Sequence, residues 1–151
     1  MSIIKIENLS VQYLEQEENA LDKISLEVEE GEFVAILGSH GAGKTTLCLS
    51  INGIVPNMIH ADMFGKIEVA GEVPPSIPVR ELASKVGIVF DNPEFQMSQL
   101  TVFEEVALGL QNLGVDKETI IENITTSLEL VGLAGFEERS PFEISGGQQQ
   151  R

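Results

Sequence analysis

The stretch Gly38-Ser39-His40-Gly41-Ala42-Gly43-Lys44-Thr45 does most to limit what this chain can fold into, because it fits G-x-x-x-x-G-K-[ST] at every fixed position. Glycines let a backbone wrap closely around phosphate, with several amides turned inward as a nest. A helix opening at Gly43 adds the positive end of its dipole to that grip. In such a loop Lys44 brings a compact charge to the β- and γ-phosphates of a nucleotide, and the Thr45 hydroxyl ligates magnesium. Gly38, Ser39, His40, Gly41, Ala42, Gly43, Lys44, Thr45 and Thr46 are therefore the candidate nucleotide-binding residues, with the side-chain identity of His40 mattering little. The competing reading is a chance match in a glycine-containing loop. Context weighs against it, since the motif is expected to follow a buried apolar strand and to precede a helix.

The surrounding pattern is that of one α/β domain. Ile4 and Ile6 alternate with Lys5 and Glu7, and Ile24, Leu26 and Val28 with Ser25, Glu27 and Glu29. That period of two predicts half-buried antiparallel strands, joined through the acidic turn Glu15 to Asn19. Phe33 to Leu37 is short and wholly apolar, which predicts a central strand buried on both faces. After the phosphate loop, Leu47, Leu49, Ile51 and Ile54 are available for packing. Residues 52–64 read as irregular, Gly65 to Gly71 as a short strand, Pro74 to Pro78 as a loop, and Val79 to Ser84 as a short helix. Val86 to Phe90 reads as a second buried strand. Thr101 followed by Glu104 fits a capping box. Val102, Val106, Leu110 and Leu113 then recur at helical spacing, and a second helix opens near Asp116 and runs to Gly132.

Composition narrows the partners. The formal net charge is −15 with only 9 basic residues, and no basic cluster is present to displace counterions from nucleic acid. Acidity also disfavours direct attraction to anionic lipid, so a membrane association would have to come through a protein. No apolar run approaches the roughly 18 residues that span a bilayer, and the N-terminus lacks the pattern of a signal peptide. These features together predict a cytoplasmic location. Cys48 is the sole cysteine, which excludes a disulfide framework and predicts a small core or near-core residue.

Near the end of the sequence, Ile144-Ser145-Gly146-Gly147-Gln148-Gln149-Gln150-Arg151, with Ser145 101 positions after Lys44, resembles the Leu-Ser-Gly-Gly-Gln signature of ATP-binding cassette (ABC) proteins. Ser145 can cap a helix whose first amides two glycines leave open. A flexible Ser-Gly-Gly turn is the bland alternative, and the order and spacing relative to the phosphate loop disfavour it. The resemblance implies a P-loop ATPase with an N-terminal antiparallel β subdomain and a helical subdomain. It divides the chain into a β and P-loop core over 1–90, a glutamine-loop equivalent over 91–100, a helical subdomain over 101–144 and the signature over 145–151. It implies ATP and Mg2+ as cofactors, and Tyr13 as the aromatic residue that stacks on adenine, against the reading of a half-buried strand tyrosine. It implies that Ser145, Gly146, Gly147 and Gln148 contact the γ-phosphate held by a second, facing cassette, so that the partner is a homologous domain in a homo- or heterodimer.

Val89-Phe90-Asp91-Asn92-Pro93-Glu94-Phe95-Gln96 is similar to the Val-Phe-Gln-Asn-Pro-x-x-Gln of importers of the energy-coupling-factor type, with Asp91 where the magnesium-binding glutamine stands. A carboxylate is a good magnesium ligand, but it is shorter, charged and unable to donate a hydrogen bond. Asn52-Gly53-Ile54-Val55-Pro56-Asn57 also resembles those importers. The resemblance implies integral membrane transport subunits as partners, no nucleic acid, a place at the cytoplasmic face of the membrane, and transport of a vitamin or metal ion. It further implies that the strand carrying the Asp-Glu pair and the later switch histidine would follow Arg151. The sequence is thus expected to be a piece that binds nucleotide without hydrolysing it, with no catalytic residue of its own. A non-transport ABC ATPase is the alternative, and a P-loop kinase or GTPase is disfavoured by the signature.

Overall fold

The computed structural model describes residues 2–93 and 96–151. Glu94 and Phe95, the variable positions of the Asn-Pro-x-x-Gln stretch, lie outside the described residues, as does Met1. The chain divides into two compact units, Met1–Ile88 and Val89–Arg151.

The first unit is built on a three-stranded antiparallel sheet. β1 (Ser2–Tyr13) lies between β2 (Leu21–Glu29) and β3 (Ala61–Val69). Ile4 and Ile6 pair with Val28 and Leu26 on one side and with Val69 and Ile67 on the other. The expected alternation is therefore present, with one complication. The β1–β3 register shifts between Glu7 and Ser10, and Asn8 there has φ 50°. One extra residue reverses which parity faces inward, so burial passes from Ile6 to Leu9 and Val11. Beyond the sheet come α1 (Lys44–Ile51), the single turn α2 (Ile54–Asn57), a 3-10 turn at Pro74–Ser76 and α3 (Val79–Leu82). Leu47, Leu49, Val55 and Leu82 from these elements join the sheet residues in the core. β3 starts at Ala61 rather than Gly65, and α2 falls within the stretch expected to be irregular.

Three expectations are overturned. Phe33 to Leu37 forms no strand; Phe33 is 95% and Leu37 91% exposed. Val86 to Phe90 forms none either, with Val89 74% exposed. An apolar run becomes a central strand only when neighbouring strands take its hydrogen bonds and helices cover its faces. Among the described residues, neither run has such a neighbour in the sheet. Cys48 is exposed, not buried. Thr46, Leu47, Leu49 and Ser50 are the buried positions of α1. At about 100° per residue they share one face, and Cys48 points the opposite way.

The second unit is helical. Thr101 caps α4 (Val102–Asn112) in the expected capping box with Glu104. The Asp116 side chain accepts from Thr119 N at 3.0 Å and so caps α5 (Lys117–Leu130). Ile120, Ile124 and Leu128 project from α5 into a core that includes Val102, Ala107, Leu133 and Ile144. Ile121, next to Ile120 in the sequence, is exposed. Leu133 and Ile144 anchor the segment leading to a 3-10 turn at Pro141–Glu143 and the single turn α6 (Gly146–Gln149).

Candidate functional site

The phosphate loop sits where the sequence places it, at the start of α1. Its conformation depends on two glycines in the left-handed region, Gly41 at φ 79° and Gly43 at φ 84°. Gly43 is the N-cap, and a Cβ there would come within 2.3 Å of Ala20 O and 2.8 Å of Leu21 Cδ2. Only glycine lets the loop lie this close to the start of β2. Gly38 to Ala42 are exposed.

The loop carries polar groups of the kinds that anion capture uses. Leu47 N is the first amide of α1 to find a helical acceptor, Gly43 O at 2.9 Å. The amides of Gly43, Lys44, Thr45 and Thr46 have no protein acceptor among the described residues, as expected of a helix's first turn. Lys44 Nζ donates to Gly38 O at 3.0 Å and Ser39 O at 2.7 Å. It thus folds over the loop with a third proton still to offer. The Thr45 side chain is exposed at the same end. Open amides, an ammonium group and a hydroxyl form a donor set suited to a polyphosphate with magnesium. Among the described residues no group of three or more His, Cys, Asp or Glu could hold a metal. A single hydroxyl suits an ion that takes most of its ligands from phosphate and water.

Tyr13, at the end of β1, belongs to this neighbourhood. It is half-buried, and its hydroxyl lies 3.1 Å from Thr46 Oγ1. The structure thus joins Tyr13, Gly38 to Gly43, Lys44, Thr45 and Thr46 within one unit.

Asp91 and the signature residues lie in the other unit. The Asp91 side chain is exposed, and its carbonyl accepts from Gln150 Nε2 at 3.2 Å. Glu105 Oε2 fixes the loop that follows, accepting from Ser98 N and Gln99 N at 2.8 Å each. Ser145 caps α6: its Oγ accepts from Gln148 N at 3.3 Å, while Gln148 Oε1 accepts from Ser145 N at 2.9 Å. Gly146 and Gly147 are exposed, and their amides have no protein acceptor among the described residues. Two contacts had no signal in the sequence. The Gln150–Asp91 bond spans 59 positions and the Tyr13–Thr46 bond 33, so neither leaves a local pattern.

A loop of open amides and lysine at a helix start, beside an antiparallel sheet, with a capped Ser-Gly-Gly-Gln turn in a helical unit, defines a nucleotide-binding domain of the P-loop class. Residues 21–151 match the family model described as ABC transporter, and the chain belongs to that family. It is 40% identical over its whole length to an ABC transporter ATP-binding protein of Pyrococcus horikoshii, covering 53% of that protein. It is 38% identical to the energy-coupling factor transporter ATP-binding protein EcfA1 of Lacticaseibacillus paracasei, over 99% of this chain and 52% of that one. Among solved structures it is similar to cbiO1 of Clostridium perfringens, part of the ABC transporter complex cbiONQ. The TM-score is 0.82 at 27% identity, over 99% of this chain and 58% of that one. It is also similar to a dimeric ATP-binding cassette in a post-hydrolysis state bound to ADP and phosphate. There the TM-score is 0.78 at 28% identity, over 97% of this chain and 65% of that one. The chain spans about half the length of the curated relatives it matches.

Proposed function

We propose that this chain is the ATP-binding part of an ABC importer of the energy-coupling-factor type, which couples ATP binding and hydrolysis to transport of a vitamin or metal ion. The observation that carries this reading is the phosphate loop, where four consecutive amides without acceptors and the Lys44 ammonium group meet at the start of α1. In this reading Gly38 to Gly43 wrap the β- and γ-phosphates, Lys44 neutralises them, Thr45 ligates magnesium, and Tyr13 stacks on adenine. Asp91 is the second magnesium ligand. Ser145 to Gln148 read the γ-phosphate of a nucleotide held by a facing cassette. Magnesium-ATP supplies the phosphoryl chemistry when bound, and hydrolysis belongs to the paired, complete cassettes.

Support for the subclass comes from the named energy-coupling-factor relative and the cbiONQ component; support for pairing comes from the dimeric cassette. No helix among the described residues is long and apolar enough to cross a membrane. Attachment to the cytoplasmic face through integral membrane subunits accords with that, and the net charge of −15 accords with a protein that has no nucleic-acid partner. Titration of the chain with a fluorescent ATP analogue, with and without magnesium, tests the reading. Lys44→Ala should weaken binding by roughly tenfold or more, the worth of a charge-assisted contact. Equal binding by parent and variant would refute the phosphate site.

A further inference from the structure

Tyr13 and Thr46 form a polar bridge between the end of β1 and the first turn of α1, with their hydroxyl oxygens 3.1 Å apart. We propose that Tyr13 is a positioning residue for the phosphate site, acting through its hydroxyl on Thr46 and independently of what its ring does. The inference rests on the reading of residues 38–46 as a nucleotide-phosphate site.

Thr46 is the third residue of α1, its amide is one of those without an acceptor, and it is only 7% exposed. Side chains on a helix lean toward its N-terminus, so the Thr46 hydroxyl is carried toward the phosphate loop. A threonine in a helix divides between two rotamers because its oxygen can bond a carbonyl three or four residues back. The bond to Tyr13 removes that ambiguity. Direction follows from valence. A hydroxyl has one proton and two lone pairs, and an ionised phosphate oxygen only accepts. If Thr46 donates to phosphate, Tyr13 must donate to Thr46. In the structure either oxygen can be the donor; phosphate would select one direction and make a chain from Tyr13 through Thr46 to the ligand. Chains of this kind strengthen each member by polarisation.

Tyr13→Phe separates the hydroxyl from the ring, since phenylalanine retains a stacking face. The experiment measures magnesium-ATP affinity of the chain for Tyr13→Phe, Thr46→Val and the double variant, beside the melting midpoint of each. Tyr13→Phe should weaken binding about three- to tenfold, the range of one neutral hydrogen bond. In the Thr46→Val background the same change should shift affinity by less than about twofold, because the chain is already broken. A role confined to holding the fold would lower the melting midpoint of Tyr13→Phe while leaving its affinity, measured well below that midpoint, equal to the parent's, which would overturn the proposal. Unchanged or tighter binding by Tyr13→Phe would also overturn it, tighter binding meaning that Tyr13 competes with phosphate for Thr46. If Lys44→Ala abolishes binding while Tyr13→Phe does nothing, this inference alone falls. A parent chain that binds no ATP refutes the phosphate site and this inference together.

Discussion

Gly41 and Gly43 share a backbone conformation but not an environment, and alanine at each should separate strain from collision. Their φ values are 79° and 84°, so alanine at either meets the same left-handed penalty, about 1–2 kcal/mol. A Cβ at Gly41 has nothing within 4 Å. A Cβ at Gly43 would lie 2.3 Å from Ala20 O, and real Cβ contacts essentially never fall below 3.0 Å. The loop and the start of β2 would have to part by at least about 0.7 Å, against a carbonyl rather than a flexible side chain. Ala20 is itself tied to Val11 O at 2.7 Å, and Leu21 is buried and pairs with Val11, so the displacement reaches the sheet. Overpacking of this kind adds about 1–3 kcal/mol. Gly43→Ala should therefore lose about 2–5 kcal/mol and Gly41→Ala about 1–2. Tyr13 is the sole tyrosine and the chain has no tryptophan, so tyrosine fluorescence during urea unfolding reports the first unit. With slopes of about 1–3 kcal/mol per molar urea, the two midpoints should differ by roughly 1 M. Midpoints that coincide would refute the claim that contact with β2, and not φ alone, reserves position 43 for glycine.

Acid should loosen the start of α5. Backbone and side-chain hydrogen bonds from Thr119 hold the Asp116 carboxyl below its ordinary value, so its contribution is present above the usual aspartate range and is lost as pH falls through the lowered value. Protection of the Thr119 amide, its exchange rate relative to the intrinsic rate at each pH, should fall across that acid window in the parent and change less in Asp116→Asn, which keeps a side-chain acceptor but does not titrate; identical protection profiles would exclude Asp116 as the cause. In complete, paired cassettes Asp91→Gln should speed ATP turnover and alter its magnesium dependence, because it restores a neutral ligand able to donate a hydrogen bond. Unchanged turnover and magnesium dependence would mean that Asp91 has no special part in the site.

What the sequence discloses and what it conceals divide along one physical line. The phosphate loop, the Thr101–Glu104 box, the helix start near Asp116 and the Ser145 cap were all legible because each is local: the groups that satisfy one another lie within a few residues. The alternation in β1 and β2 was legible for a similar reason, since one buried face imprints its period on the strand itself. Phe33 to Leu37 shows the limit. Its composition states a demand for burial but carries no information on what meets that demand, and among the described residues the run stays exposed. Cys48 shows another limit. The inward face of α1 is set by Thr46 and Ser50 as much as by leucines, and both are satisfied there, Ser50 Oγ donating to Thr46 O at 2.8 Å and Thr46 bonding Tyr13. A hydrophobic count along eight residues cannot see a helix whose phase is fixed by buried hydroxyls. Polar burial of that kind costs free energy unless each group finds its partner. The same bonds that mislead a reading of α1 by hydropathy therefore mark where α1 is oriented, and they do so in the first turn that carries the open amides.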